Sequence, residues 1–303
     1  MSSQPTKPAD VGGLEQRYLT FVDKLVARGR ELVAEAVPQL QQMVAASDDI
    51  NDLAPRRVAA AVTTQFEELR AKATQVLTEQ ILSPDLSFQG LLRLNTWVGS
   101  RDICTARCEQ LTRLTIRWRE QVERAAQPDY VSEYRKVLAE FDATKDSYRC
   151  QQCGSPLTID RIFVIDVYVT CPQCQTQSHF APSTAARALN HVAIFLARQL
   201  HADYLDANDS LAQQLDQLED RWYDIKMQRG AKAERQQLRD QMVHMTQLFD
   251  RNYQEFLAVV YRDLQQMFPE NTVHYQQQYA LELGRHQEGT AERQRVISQM
   301  AGR

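Results

Sequence analysis

Two pairs of cysteines constrain this chain more than any other feature. Cys150 and Cys153 are separated by two residues, as are Cys171 and Cys174, and 17 residues lie between the pairs. That spacing lets one tight turn aim both sulfurs at a common point, and two such turns complete a tetrahedron of thiolates. Gly154, directly after the second sulfur, suits a backbone of positive φ, and Pro172 presets φ inside the second turn. Cys150, Cys153, Cys171 and Cys174 are therefore predicted to bind one Zn2+. Four thiolates fill the coordination shell and leave no position for an activated water, so the ion is expected to be structural.

The pattern C-x2-C-G followed by C-P-x-C resembles a zinc ribbon with rubredoxin-like knuckles, over roughly a tenth of the chain. The resemblance implies a small metal-stabilised β module and specifies no activity. It also makes iron a competitor. Gln175 stands where the second rubredoxin knuckle usually has glycine, and the spacer is short for that family, so zinc is preferred. Disulfide pairing is the third option. Nothing at the start of the sequence resembles a secretion signal, and paired C-x2-C motifs in a cytosolic chain favour a metal.

Between the knuckles, Leu157 to Thr170 is rich in β-branched and aromatic residues and predicts strands turning at Asp160-Arg161. Along the longer strand, Phe163, Ile165, Val167 and Val169 share one face, and Ile162, Val164, Asp166 and Tyr168 the other. Both faces are largely apolar. A module this small cannot cover two such faces itself, so one is expected to pack on the flanking helices rather than on a partner.

Elsewhere apolar residues recur at helical spacing. Leu14, Tyr18, Phe21, Leu25 and Leu32 mark a first helix that Pro38 is expected to kink or end, and Val58 to Leu82 a second. Phe88 to Val98 reads as a short piece, divided by Gly99-Ser100 from a helix reaching Gln127. Tyr130, Tyr134, Leu138 and Phe141 mark the helix that feeds the cysteine module. Beyond the module, Ser183 is the expected cap of one helix and Asn208-Asp209-Ser210 of the next. Two stripes, Leu211 to Ile225 and Leu238 to Val259, follow a heptad-like spacing, with Asn252 as a polar intruder in the second. Inner faces of one bundle are the favoured reading; an intermolecular coiled coil, and hence a homo-oligomer, is the alternative.

The predicted fold class is mainly α: long antiparallel helices, bundle- or coiled-coil-like, with a small inserted β zinc ribbon. The expected divisions are a disordered tail at 1–13, an N-terminal helical region at 14–147 and the ribbon at 148–180. A C-terminal helical region at 181–285 and a polar tail at 286–303 complete the chain.

A hydrophobic content of 43% places the chain among globular proteins, and a net charge of -4 gives no global attraction to nucleic acid or anionic lipid. No run approaches the roughly 20 apolar residues that span a bilayer, so a membrane partner is not expected and a cytoplasmic location is. The helix from Arg101 to Arg124 carries Arg101, Arg107, Arg113, Arg117, Arg119 and Arg124. Asp102, Glu109, Glu120 and Glu123 interleave with them, as on an ordinary solvated helix, which disfavours a phosphate-tracking face. Cys104 and Cys108 share a helix face and are expected as small core residues rather than a second metal site. His179 lies five residues past Cys174 and is a candidate spare ligand or orienting donor. Metalloprotease, phosphate-loop, nucleophile-elbow and dinucleotide motifs are absent. The expected role is a non-catalytic zinc-binding scaffold or adaptor for other proteins. The alternative is a nucleic-acid-binding or transcription-regulatory protein using the ribbon and the Arg101–Arg124 helix.

Overall fold

The computed structural model describes residues 11–47, 49–50, 52–82, 94–226 and 231–299. It is mainly α, with one two-stranded antiparallel sheet, and it divides into two units, Met1–Pro128 and Asp129–Arg303.

The first unit contains α1 (Val11–Ala45), α2 (Ala54–Val76, continued by a π turn at Leu77–Leu82) and α3 (Leu94–Ala125). Cross-helix contacts fix their directions. Glu15 meets Ser100, Asp23 meets Arg107 and Gly29 meets Trp118, so α1 and α3 run parallel. Thr74 meets Cys108 and Phe66 meets Trp118, so α2 runs against α3 and hence against α1, to which the Tyr18 hydroxyl ties it by donating to the Ala73 carbonyl. Tyr18, Val22, Leu40, Phe66, Leu111, Leu114, Trp118 and Val122 form the core. Cys104 and Cys108 sit in that core, with the Cys108 sulfur 3.8 Å from the Thr74 hydroxyl, as expected of small buried residues.

Neither Pro38 nor Gly99-Ser100 ends its helix. α1 continues through Pro38 to Ala45, and α3 runs unbroken through Gly99-Ser100. A glycine costs about 1 kcal/mol in a helix, and the contact between buried Ser100 and Glu15 opposes that cost at this point. Residues 88–93 of the expected short helix, and residues 1–10 of the expected tail, lie outside the described residues.

The second unit starts with α4 (Tyr130–Thr144), capped by Asp129 whose carboxylate accepts from the Ser132 N–H. The structure groups α4 with this unit, whereas the sequence pattern places residues to 147 with the N-terminal helices. After the cysteine module come α5 (Thr184–Leu200), α6 (Ala202–Lys226), α7 (Lys232–Met267) and α8 (Thr272–Gln299). Ser183 caps α5 by accepting from the Ala186 N–H at 3.2 Å, as predicted. Asn208-Asp209-Ser210 does not cap α6, which begins at Ala202 and carries these residues in its interior. Asn208 is buried there and accepts a 2.7 Å hydrogen bond from Asn252 of α7. The polar intruder in the heptad-like stripe thus has its partner within the same chain. The residues expected as a polar tail from 286 are helical up to Gln299, where Val296 and Ile297 are buried.

Candidate metal centre

Each cysteine pair is shaped by the same backbone turn. In the first, the Cys150 N–H donates to Ser155 and the Gly154 N–H returns to the Cys150 carbonyl at 2.9 Å. In the second, the Cys171 N–H donates to Thr176 and the Gln175 N–H to the Cys171 carbonyl at 3.0 Å. Gly154 has φ 73° and Gln175 has φ 61°, so glutamine adopts in the second turn what glycine adopts in the first. A side chain in this left-handed region costs about 1 kcal/mol. The Gln175 amide donates to the Pro172 carbonyl at 3.3 Å.

The two turns face each other. Cys150 and Cys174 sulfurs lie 3.6 Å apart, Cys153 and Cys171 sulfurs 3.6 Å apart, and all four fall within 4.8 Å of one another. Zinc–sulfur bonds of about 2.3 Å in a tetrahedron require sulfurs about 3.8 Å apart. The donor set therefore fits one tetrahedral ion. All four cysteines are free rather than paired as disulfides. Among the described residues they are the group of three or more candidate ligands that converges on one point.

The surroundings favour the thiolate at Cys150 and Cys153. The Cys153 and Gln152 N–H groups and the Ser178 hydroxyl hold the Cys150 thiol down at about 6. The Ser155 hydroxyl and N–H, with neighbouring sulfur, lower Cys153. At Cys171 the Cys174 N–H pulls downward, but burial and the sulfurs of Cys153 and Cys174 outweigh it and the net shift is upward. A cation placed among the sulfurs removes that conflict. The Ser178 and Ser155 hydroxyls lie 3.8 Å and 3.4 Å from the Cys150 and Cys153 sulfurs. Sequence reading missed both. Serine is too common to flag, and Ser178 comes close only through strand pairing.

The β segment departs from expectation. β1 (Val167–Thr170) pairs with β2 (Gln177–Phe180) across the second turn, with Tyr168 opposite His179. The expected hairpin at Asp160-Arg161 does not form. Residues 157–166 carry neither strand nor helix, and one bridge joins Arg149 to Pro156. The predicted two-face alternation breaks ahead of Val167, where the adjacent Ile165 and Asp166 are both exposed, while Val164 is 2% exposed. Val164 belongs to the core formed by Tyr130, Leu189, Leu196, Phe256, Phe268 and Tyr275, and Ile162 packs against it. The apolar surplus of the segment is buried on the chain's own helices. Ordering each residue of such a segment costs about 1–2 kcal/mol, and burying a Val or Leu side chain returns about 1.5–3 kcal/mol. Leu157, Ile159 and Val164 are the buried side chains of the segment, with Ile162 and Phe163 half-buried beside them.

His179 takes no place in the sulfur cluster. Its Nε2 lies 3.4 Å from Asp166, and its ring meets Tyr168. Of the arginine helix, Arg107 is buried against Asp23 at 2.6 Å and Gln110, and Arg119 pairs with Glu123 at 3.1 Å. Two further pairs escaped the sequence reading because their members are distant in the chain: His286 with Asp250 at 2.7 Å and His201 with Asp263 at 2.8 Å.

The chain matches no protein-family model, and no curated protein or solved structure shows significant similarity to it. Fold and site together define a class: a helical protein with four cysteines placed so that they could hold one metal ion. No helix among the described residues is long and apolar enough to cross a membrane.

Proposed function

We propose that this chain is a non-catalytic, zinc-binding scaffold or adaptor that presents helical surfaces to other proteins. The convergence of Cys150, Cys153, Cys171 and Cys174 within 4.8 Å carries the reading. Four sulfurs saturate a tetrahedral ion, which then stabilises the fold and does not activate water. Zinc is favoured over iron by the departure from the rubredoxin pattern at Gln175 and by the short spacer. The adaptor role is supported by large apolar side chains left open on the second unit. Phe195, Leu200, Val273 and Leu281 are 37–68% exposed, and Tyr168 is 70% exposed beside the knuckles.

Nucleic-acid binding draws less support, because Arg107 and Arg119 are already engaged with carboxylates. Elemental analysis of the native protein tests the metal, with one zinc per chain expected, and iron or no metal contrary. Cross-linking in cells then tests the role. Protein adducts that need the intact cysteine set support an adaptor, whereas salt-sensitive duplex binding that Arg113→Glu and Arg117→Glu weaken would replace it.

A further inference from the structure

We propose that the metal centre is a clamp on the helices of the second unit, so that ion loss frees segment 157–166 and loosens the turn between α7 and α8. The inference rests on the zinc reading above. The segment is strung between two knuckles and has no helix or strand of its own, yet it is attached to helices at three places. Val164 enters the core that contains Phe268 and Tyr275, one on each side of the α7–α8 turn. Arg161, stacked over Phe163 at 4.8 Å, brings its guanidinium to 3.9 Å from Glu270. Asp166 accepts from Arg187 of α5 at 2.6 Å.

Glu270 is the telling residue. It lies in the short 3-10 turn Pro269–Asn271, and both its carboxylate oxygens are buried without a hydrogen bond. A buried carboxylate needs a compensating charge, and Arg161 is the cation placed beside it. Arg161 is held there by a segment whose two ends are fixed by the knuckles. Release of the ends withdraws Val164 from the core and the guanidinium from Glu270 together. Because linkage is reciprocal, these helical contacts also strengthen metal binding.

Hydrogen exchange on the full-length protein, with zinc and after chelation, tests the clamp. The expected result is joint loss of protection in residues 157–166 and 268–275 when the metal is removed. Protection lost only at 148–156 and 171–180 would overturn the clamp while leaving the metal centre standing. Val164→Ala and Glu270→Gln keep all four cysteines, and each is expected to lower zinc affinity about tenfold in a chelator competition. Unchanged affinity in both folded variants would also overturn it. Native protein without any bound metal would overturn the clamp and the zinc reading together.

Discussion

The two units reach a fixed structure by different means. In the first, three long helices bury a continuous core, and Gly29 of α1 lies directly against the Trp118 ring of α3. In the second, the helices around Tyr130, Leu196 and Phe256 have a comparable core, but residues 148–180 offer only short strands and small clusters. A polypeptide stretch that cannot bury enough apolar surface needs a cross-link, and the four sulfurs are placed to form one. The difference teaches where each unit is vulnerable: one to a change of volume, the other to loss of a ligand.

The sharpest way to break the comparison is Cys171→Ser. It is expected to abolish stoichiometric metal binding, since structural zinc supplies about 10–16 kcal/mol of apparent folding energy. Residues 148–180 should lose protection from exchange while α1 to α3 keep theirs, read by mass spectrometry of the same sample. Next is Gly29→Ala. A Cβ there would stand 2.0 Å from the Trp118 ring, and overpacking of this kind costs about 1–3 kcal/mol. Thermal unfolding should show a destabilised first unit with full zinc content.

Asn252→Ala probes the seam between α6 and α7. It removes the donor to buried Asn208 and to the Tyr204 carbonyl, and is expected to cost about 1–2 kcal/mol in denaturant titration. The smallest effect has the opposite sign. Gln175→Gly should stabilise the metal-loaded module by about 0.5–1 kcal/mol, because glycine adopts φ 61° without strain. Unchanged or weaker zinc retention in that variant would show that the contact between Gln175 and Pro172 outweighs the strain.

Much of this was legible in the sequence, for a physical reason. Two-residue cysteine spacing is a local geometric demand, and apolar periodicity reports a buried face, so the sulfur set and most helices could be read directly. What failed depends on tertiary context. Gly99-Ser100 does not break α3, and Asn208-Asp209-Ser210 does not start α6: within these helices Ser100 bonds to Glu15, and the Asn208 side-chain oxygen accepts from Asn252. Residues 157–166 have strand-like composition, yet they bond to no neighbouring strand and their side chains reach helices instead. The polar end of α8 is helical, with Ile297 buried beside Trp222 and Met242, residues far away in sequence.

X-ray absorption at the metal edge of the native protein tests the central claim most directly. The account predicts a zinc edge and four sulfur scatterers at about 2.3 Å, with all of that signal lost in Cys171→Ser. An iron edge, or a shell holding fewer than four sulfurs, would contradict it.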